Sequence, residues 1–380
     1  MALGAVSKVV IASAAIGVAA LALSLSGQVP GVALGGVAGA AGPAATPHQP
    51  LFVGFYVGWD DKARASLAAH IGQMDVFAPL WVTLRGPKAE VVPEDDPDAM
   101  ALLKSRRHPP RVFPIVSNAH DDIWDARSAG AAILDPAIRA QVVSGLTDLA
   151  RQRGLSGYIF DFENLKPEAA AAFPGFLAEM KAALGAKGLQ VWAVASVDPH
   201  QPLAAMARSA DAVVLMGYDQ CWANSYPGPV AGADWLKAEL AQRLSGIDPA
   251  KVVVALASYG YDWPHGGTAK VVVADGLDAA ARAKGATLRR DPVSGDATFT
   301  YTADGKARHE VWAVDAAAFA AQRRIAAAFH PKGIALWRLG LEDPDLWRQP
   351  PPPPNLKRPA PLAPGADPPQ ACEPLPPKRG

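Results

Sequence analysis

LSGYIFDFEN, residues 155–164, is the stretch on which the fold turns. Leu155 to Phe162 is a short run rich in apolar and aromatic residues, the composition of a buried strand. Strand side chains alternate between faces, so Ile159, Asp161 and Glu163 share one face and Phe160 and Phe162 the other. The first face points to the interior of a closed sheet and the second to covering helices. Two carboxylates at i, i+2 stand about 7 Å apart at Cα, close enough for one to be held ionised while the other stays protonated. That division of labour is what a general acid and its companion need.

Seven further runs resemble this one: LFVGFYV (51–57), MDVFAPLWV (74–82), RVFPIVS (111–117), LQVWAVAS (189–196), DAVVLMGY (211–218), KVVVALASY (251–259) and GIALWRL (333–339). They are near-continuously apolar, as parallel strands covered by helices are. Ala-rich helical patterns separate them, among them 136–152, 167–184, 202–209 and 233–244, several opened by Pro or by an Asp cap such as Asp135-Pro136. Strand and helix repeated eight times over about 300 residues fit an α/β protein of the (β/α)8 TIM-barrel type. A doubly wound sheet fits the same alternation. Residues 268–312 break the rhythm with an apolar run, a helix-like DGLDAAARAKG and two alternating runs meeting at Ala303-Asp304-Gly305-Lys306. We expect a small α+β insertion there, between strands 7 and 8.

The ends of the chain differ from its middle. Val9 to Leu25 is uniformly apolar, and a small-residue stretch containing Ala38-Gly39-Ala40 follows. Residues 1–28 fit both a cleaved signal peptide and a membrane anchor, with 29–49 a flexible linker. Either places the domain, 50–349, outside the cytoplasm: periplasmic, extracellular or tethered to the outer face of the inner membrane. Residues 350–380 are Pro-rich and poor in apolar bulk, which predicts an extended, disordered tail, open to a protein partner. Lys+Arg and Asp+Glu balance at 36 each, so no net field draws the chain to nucleic acid. With two cysteines, Cys221 and Cys372, a disulfide framework is excluded and a single bridge is not assumed. Cys221 reads as a small buried filler. No metal-ligand spacing and no phosphate loop occurs, so neither metal nor other cofactor is expected.

In a TIM barrel reactive groups gather where strands end. The runs deliver Tyr56 and Trp59, Trp81, Asn118 and His120, Asp161 and Glu163, Asp198 and His200, Tyr218 and Asp219, Tyr261, Asp262 and Trp263, then Trp337 and Arg338. Carboxylates ringed by aromatics suit a sugar, which offers hydroxyls to the first and C–H faces to the second. Trp59, Trp81 and Trp263 read equally as platforms or as packing. Asp219 and Asp262 read either as the cleft floor or as partners of loop amides. His120 and His200 read as loop caps.

Here the residues reach a family. The string ending in Asp161-Phe-Glu163 resembles the D-x-x-D-x-D-x-E motif of family 18 glycoside hydrolases. Leu215-Met-Gly-Tyr218-Asp219 resembles its M-x-Y-D segment, and Trp337 in GIALWRLG its strand-eight tryptophan. FVGFYVGWDD, YDQCWANSYPGPVAGADW, ASYGYDWP and WRLGLEDPDLW look like bacterial barrels of this family, including spore-cortex-lytic-type enzymes and barrels fused to polysaccharide deacetylases or glycosyltransferases. The resemblance covers about 50–348. It implies that Glu163 is the catalytic acid, that Asp161 orients a substrate acetamido group, that Tyr218 hydrogen-bonds its oxygen and that Trp337 floors the subsite. Tyr56, Trp59, Trp81, Asp219, Tyr261 and Asp262 would line the remaining cleft. Ser156 and Ile159 stand where the motif has its first two aspartates. Ile159 cannot share a proton with Asp161, which should then be more permanently ionised or matched by another group. Two readings follow: a hydrolase of β-linked N-acetylglucosamine polymers such as peptidoglycan, exopolysaccharide or chitin, and a barrel that binds such a glycan for a partner without cutting it.

Overall fold

Eight parallel strands close into a ring in the computed structural model, which describes residues 49–121, 123–303, 307–359 and 370–376. Strand one is Leu51–Tyr56, flanked by strand eight, Gly333–Trp337, and by the first half of strand two, Val76–Pro79. Strands two and three are each broken once, into Val76–Pro79 with Val82–Arg85 and Arg111–Val112 with Ile115–Ser117, and the halves pair in turn. Gly157–Asp161, Gln190–Ala195, Ala212–Met216 and Val252–Ala257 complete the circle back to strand eight. The ring decides between the barrel and the doubly wound sheet.

Register at the fourth strand depends on a glycine. Gly157 pairs with Gln190, and a Cβ on it would meet the Gln190 carbonyl oxygen at 2.4 Å and the Phe113 ring at 2.6 Å. Only hydrogen fits between these strands. Phe160 and Phe162 pack on Phe176 of the helix Pro167–Gly185, so the outer face of the strand is sealed by aromatic edges. Helices follow their sequence signals: Asp135 caps Pro136–Arg153, and Gly154 ends that helix at φ 66°. No helix among the described residues is long and apolar enough to cross a membrane. The apolar run at 9–25 and the linker up to residue 48 lie outside the described residues.

The insertion is larger than its sequence pattern. Its antiparallel sheet runs Lys270–Val273, Tyr259–Pro264, Ala307–Ala313, Ala297–Ala303 and Arg289–Arg290, with the helix Leu277–Ala283. Tyr259–Pro264 therefore leaves the barrel and becomes an insertion strand pairing with Val311 and Trp312 on one side and Val271 and Val272 on the other. Asp296 latches the insertion to the barrel: its buried carboxylate accepts from Val230 N at 2.9 Å and Ala231 N at 3.4 Å.

Two sequence expectations are corrected at the C-terminus. Cys221 and Cys372 form a disulfide across 151 residues of chain, so Cys221 is a tether and not a filler. The tail is held rather than disordered at both described stretches. Pro352 is buried and the Arg358 guanidinium lies 5.3 Å over the Phe329 ring. Around the disulfide, Cys372 N donates to Gln220 O at 2.7 Å, Tyr226 N to Glu373 O at 3.0 Å and Leu375 N to Asn224 O at 2.7 Å. Composition predicts little apolar burial, but a covalent bond and backbone pairing with a loop supply what burial does not.

Candidate active site

The C-terminal ends of the strands enclose a pocket of about 660 Å³, open to solvent. Its polar groups come from Ser117, Asp161, Glu163, Tyr218 and Arg338; its walls include Phe55, Val57, Trp59, Leu80, Trp124, Met216 and Trp337. Asp161 and Glu163 face inward together, while their neighbour Phe162 packs on the helices. Asp161 is the last residue of its strand and stands in register with Ser117. Its Oδ1 is sealed from solvent and has no hydrogen-bond partner among the described residues. Burial pushes its pKa up from the ordinary 3.8 to about 7, so it is not the permanently ionised group expected from the loss of the motif aspartate. Ile159, two residues earlier on the same strand and fully buried, offers it no group with which to share a proton.

Tyr218 enters from the sixth strand's end, edge-on to Tyr259 at 6.3 Å. Its pKa is raised first by burial and then by the charges of Asp219, Asp161 and Glu163, so it stays a neutral hydrogen-bond donor. Asp219, at φ 62°, turns away from the pocket and accepts from the hydroxyls of Tyr259 at 2.6 Å and Tyr261 at 3.2 Å. Burial lifts its pKa to about 6 against the lowering effect of those two hydroxyls. Arg338 is buried and pairs with Asp60 at 2.7 Å, which neutralises the one cation of the pocket wall.

Four expected cleft residues are placed elsewhere. Tyr56 is buried on the outer side of its strand, donates to Asp96 at 2.7 Å, and leaves the pocket to Phe55 and Val57. Trp81 packs edge-on to Phe77 with Arg153 over its ring, while its neighbour Leu80 faces the pocket. Both corrections come from strand parity: the residue one step away owns the inward face. Tyr261 is buried behind Asp219, and Asp262 accepts from Tyr301 Oη at 2.6 Å and lies 2.8 Å from His309 Nδ1 within the insertion sheet. Their displacement follows from the insertion starting at Tyr259.

Trp124 was not foreseen. It sits on a two-rung hairpin, Ala119–His120 with Ile123–Trp124, too short to show any periodicity in sequence. Nothing in its local pattern marks it. Ser117 and the apolar wall residues Phe55, Val57 and Leu80 were likewise unassigned, although parity would have found the last three. Among the described residues no group of His, Cys, Asp and Glu is arranged to hold a metal ion.

A closed parallel barrel with paired acids, a buried tyrosine and tryptophan walls at its C-terminal mouth is the arrangement that the family 18 resemblance implies. The comparisons agree in kind. The chain is 25% identical over 267 residues to an uncharacterised glycosylase of Bacillus subtilis, covering 67% of this chain and 78% of that one. It is 26% identical over 249 residues to the cortical fragment-lytic enzyme of Bacillus subtilis, covering 61% of this chain and 58% of the relative. A chitinase from Chromobacterium violaceum superposes with a TM-score of 0.72 at 27% identity, over 79% of this chain and 97% of the other. No protein-family model matches the chain. Its relatives are thus glycosylases, cortex-lytic enzymes and chitinases, and the family 18 resemblance holds in sequence and in fold.

Proposed function

We propose that the protein is a retaining glycoside hydrolase acting on β-linked N-acetylglucosamine polysaccharide, peptidoglycan ahead of chitin. The observation that carries this reading is Asp161, which lines a tryptophan-walled pocket beside Glu163 and whose buried Oδ1 has no hydrogen-bond partner among the described residues. An orphaned buried acceptor is costly unless a ligand satisfies it. The N–H of an acetamido group would supply that donor. Peptidoglycan is favoured because a cortical fragment-lytic enzyme is among the relatives.

In the proposed reaction the bond from the anomeric carbon to the glycosidic oxygen breaks as Glu163 delivers its proton to that oxygen. The acetamido carbonyl oxygen of the same sugar attacks the anomeric carbon and forms a cyclic cation. Asp161, accepting the acetamido N–H, stabilises that cation, and Tyr218 donates to the carbonyl oxygen to orient it. Water, deprotonated by Glu163, then opens the ring, so no protein nucleophile is required. Trp337 and Trp124 stack against sugar faces. The disulfide supports an oxidising compartment and so an exported protein, as does the apolar run at 9–25.

The test is incubation of the purified protein with N-acetylglucosamine oligomers and with peptidoglycan, following cleavage and binding together. Cleavage that disappears in Glu163→Gln supports the hydrolase. Ile159 favours the second reading, a barrel that binds the glycan without cutting it, because it removes the proton-sharing acid. Binding without cleavage by wild type and by Ile159→Asp alike would establish that alternative.

A further inference from the structure

Glu163 lies beyond its strand, which ends at Asp161, and before the helix that begins at Pro167. Its backbone therefore has no ladder or helical turn of its own, and the next residue, Asn164, is in the left-handed region at φ 54°, which asks for outside support. Asn118 provides it. This side chain is 0% exposed, one residue past the end of the third strand. Its Oδ1 accepts from Glu163 N at 3.0 Å and its Nδ2 donates to Glu163 O at 3.0 Å, so one amide bridges both backbone groups of the acid.

The same Nδ2 also donates to Asp125 O at 3.2 Å, and Asp125 N donates to Asn118 O at 2.8 Å. Between Asn118 and Asp125 runs the hairpin that brings Trp124 to the pocket. Acid and aromatic wall thus hang from one buried side chain. Only an amide serves: Asp has no donor for the two carbonyls, and Ala or Ser spans neither group.

We infer that Asn118 is a positioning residue that fixes the Glu163 carboxyl against the tryptophan wall and acts on proton delivery through Glu163. The inference rests on the reading of Glu163 as general acid. It separates from a merely stabilising role by leaving-group dependence. A dinitrophenol leaves as a stable anion and needs little protonation, whereas a sugar hydroxyl needs the proton.

The experiment compares wild type, Asn118→Asp and Glu163→Gln on N-acetylglucosamine oligomers and on the dinitrophenyl glycoside of an N-acetylglucosamine disaccharide. Misplacement of an acid by an ångström costs roughly 10²-fold in turnover. Asn118→Asp should show about that loss in kcat/KM on oligomers, little change in oligomer binding, and a much smaller loss in kcat/KM on the dinitrophenyl substrate, a ratio that reports bond cleavage and not the later attack of water; Glu163→Gln should show the same pattern. Melting temperature verifies the fold; if Asn118→Asp unfolds, Asn118→Ser is read in the same way. Equal loss on both substrates overturns the positioning role while leaving the hydrolase reading intact. Wild type that turns over neither substrate overturns the hydrolase reading itself.

Discussion

The protein holds half-buried acids in two settings, and they are served differently. On the insertion sheet, Asp262 accepts from Tyr301 and pairs with His309, whose ring stacks on Tyr301 at 4.7 Å. At the barrel mouth, Asp161 lines the pocket, its Oδ1 is inaccessible and has no donor among the described residues, and burial raises its pKa to about 7. A satisfied acid stitches strands together. An unsatisfied one at a pocket is a cost the fold carries until a ligand meets it. The contrast separates residue types that sequence places on equal terms, because Asp161 and Asp262 both follow aromatic strand residues near a strand end.

The sharpest way to break the contrast is at the acid beside Asp161. Glu163→Gln keeps shape and loses the transferable proton, so turnover on N-acetylglucosamine oligomers should fall about 10²–10⁴-fold with binding little altered. An unchanged kcat would show that the barrel mouth is no more chemical than the insertion sheet. The next effect concerns stability. Removing the Cys221–Cys372 bridge by Cys372→Ser should cost about 2–4 kcal/mol in urea unfolding, since it frees a long loop in the unfolded chain. A midpoint unaltered by the substitution would show that backbone pairing alone holds the tail. Smaller again is Asp262→Ala, which leaves the Tyr301 hydroxyl without its acceptor. We expect a loss of about 1–3 kcal/mol in stability with kcat unchanged. A fall in kcat comparable to that of Glu163→Gln would move Asp262 into the machinery and erase the contrast.

Most of the barrel was legible because buried parallel strands announce themselves as apolar runs, and each of the eight runs contributes a strand to the ring. The inward pair on the fourth strand was legible too, because Phe160 and Phe162 fix the parity. Residue type overrode parity at the first and second strands, where Tyr56 and Trp81 drew attention as aromatics although Phe55, Val57 and Leu80 hold the inward positions. Local pattern has no access to what comes from long-range contact. Tyr259–Pro264 reads as the end of a barrel strand, and only its pairing with Val311 and Trp312 makes it part of another sheet. The tail reads as disorder, and only Cys221, 151 residues away, says otherwise. Trp124 and Asn118 belong to a loop whose geometry is set by four hydrogen bonds and by no periodicity.

The pH dependence of stability sharpens the comparison most directly, because it reads the cost at Asp161 itself. An acid whose pKa is raised from 3.8 to about 7 by folding keeps its proton in the folded chain after the unfolded chain has lost it. Folding stability from this group is therefore intact below the unfolded value, falls as pH rises between the two, and stays lost above about 7. Asp161→Asn carries no charge in either state, so it escapes that decline. The difference in melting temperature, variant minus wild type, should grow from about pH 4 to about pH 7 and level off above it, while kcat collapses because the cyclic cation loses its counter-charge. Asp219 and Asp296 are also shifted upward by burial, but they are present in both proteins and drop out of the difference. A saturating N-acetylglucosamine oligomer should narrow the gap, since an N–H donated to Oδ1 favours the ionised carboxylate. A flat difference at Asp161, with or without oligomer, would mean that its carboxylate finds a donor in solution and that the contrast between the two acids does not exist.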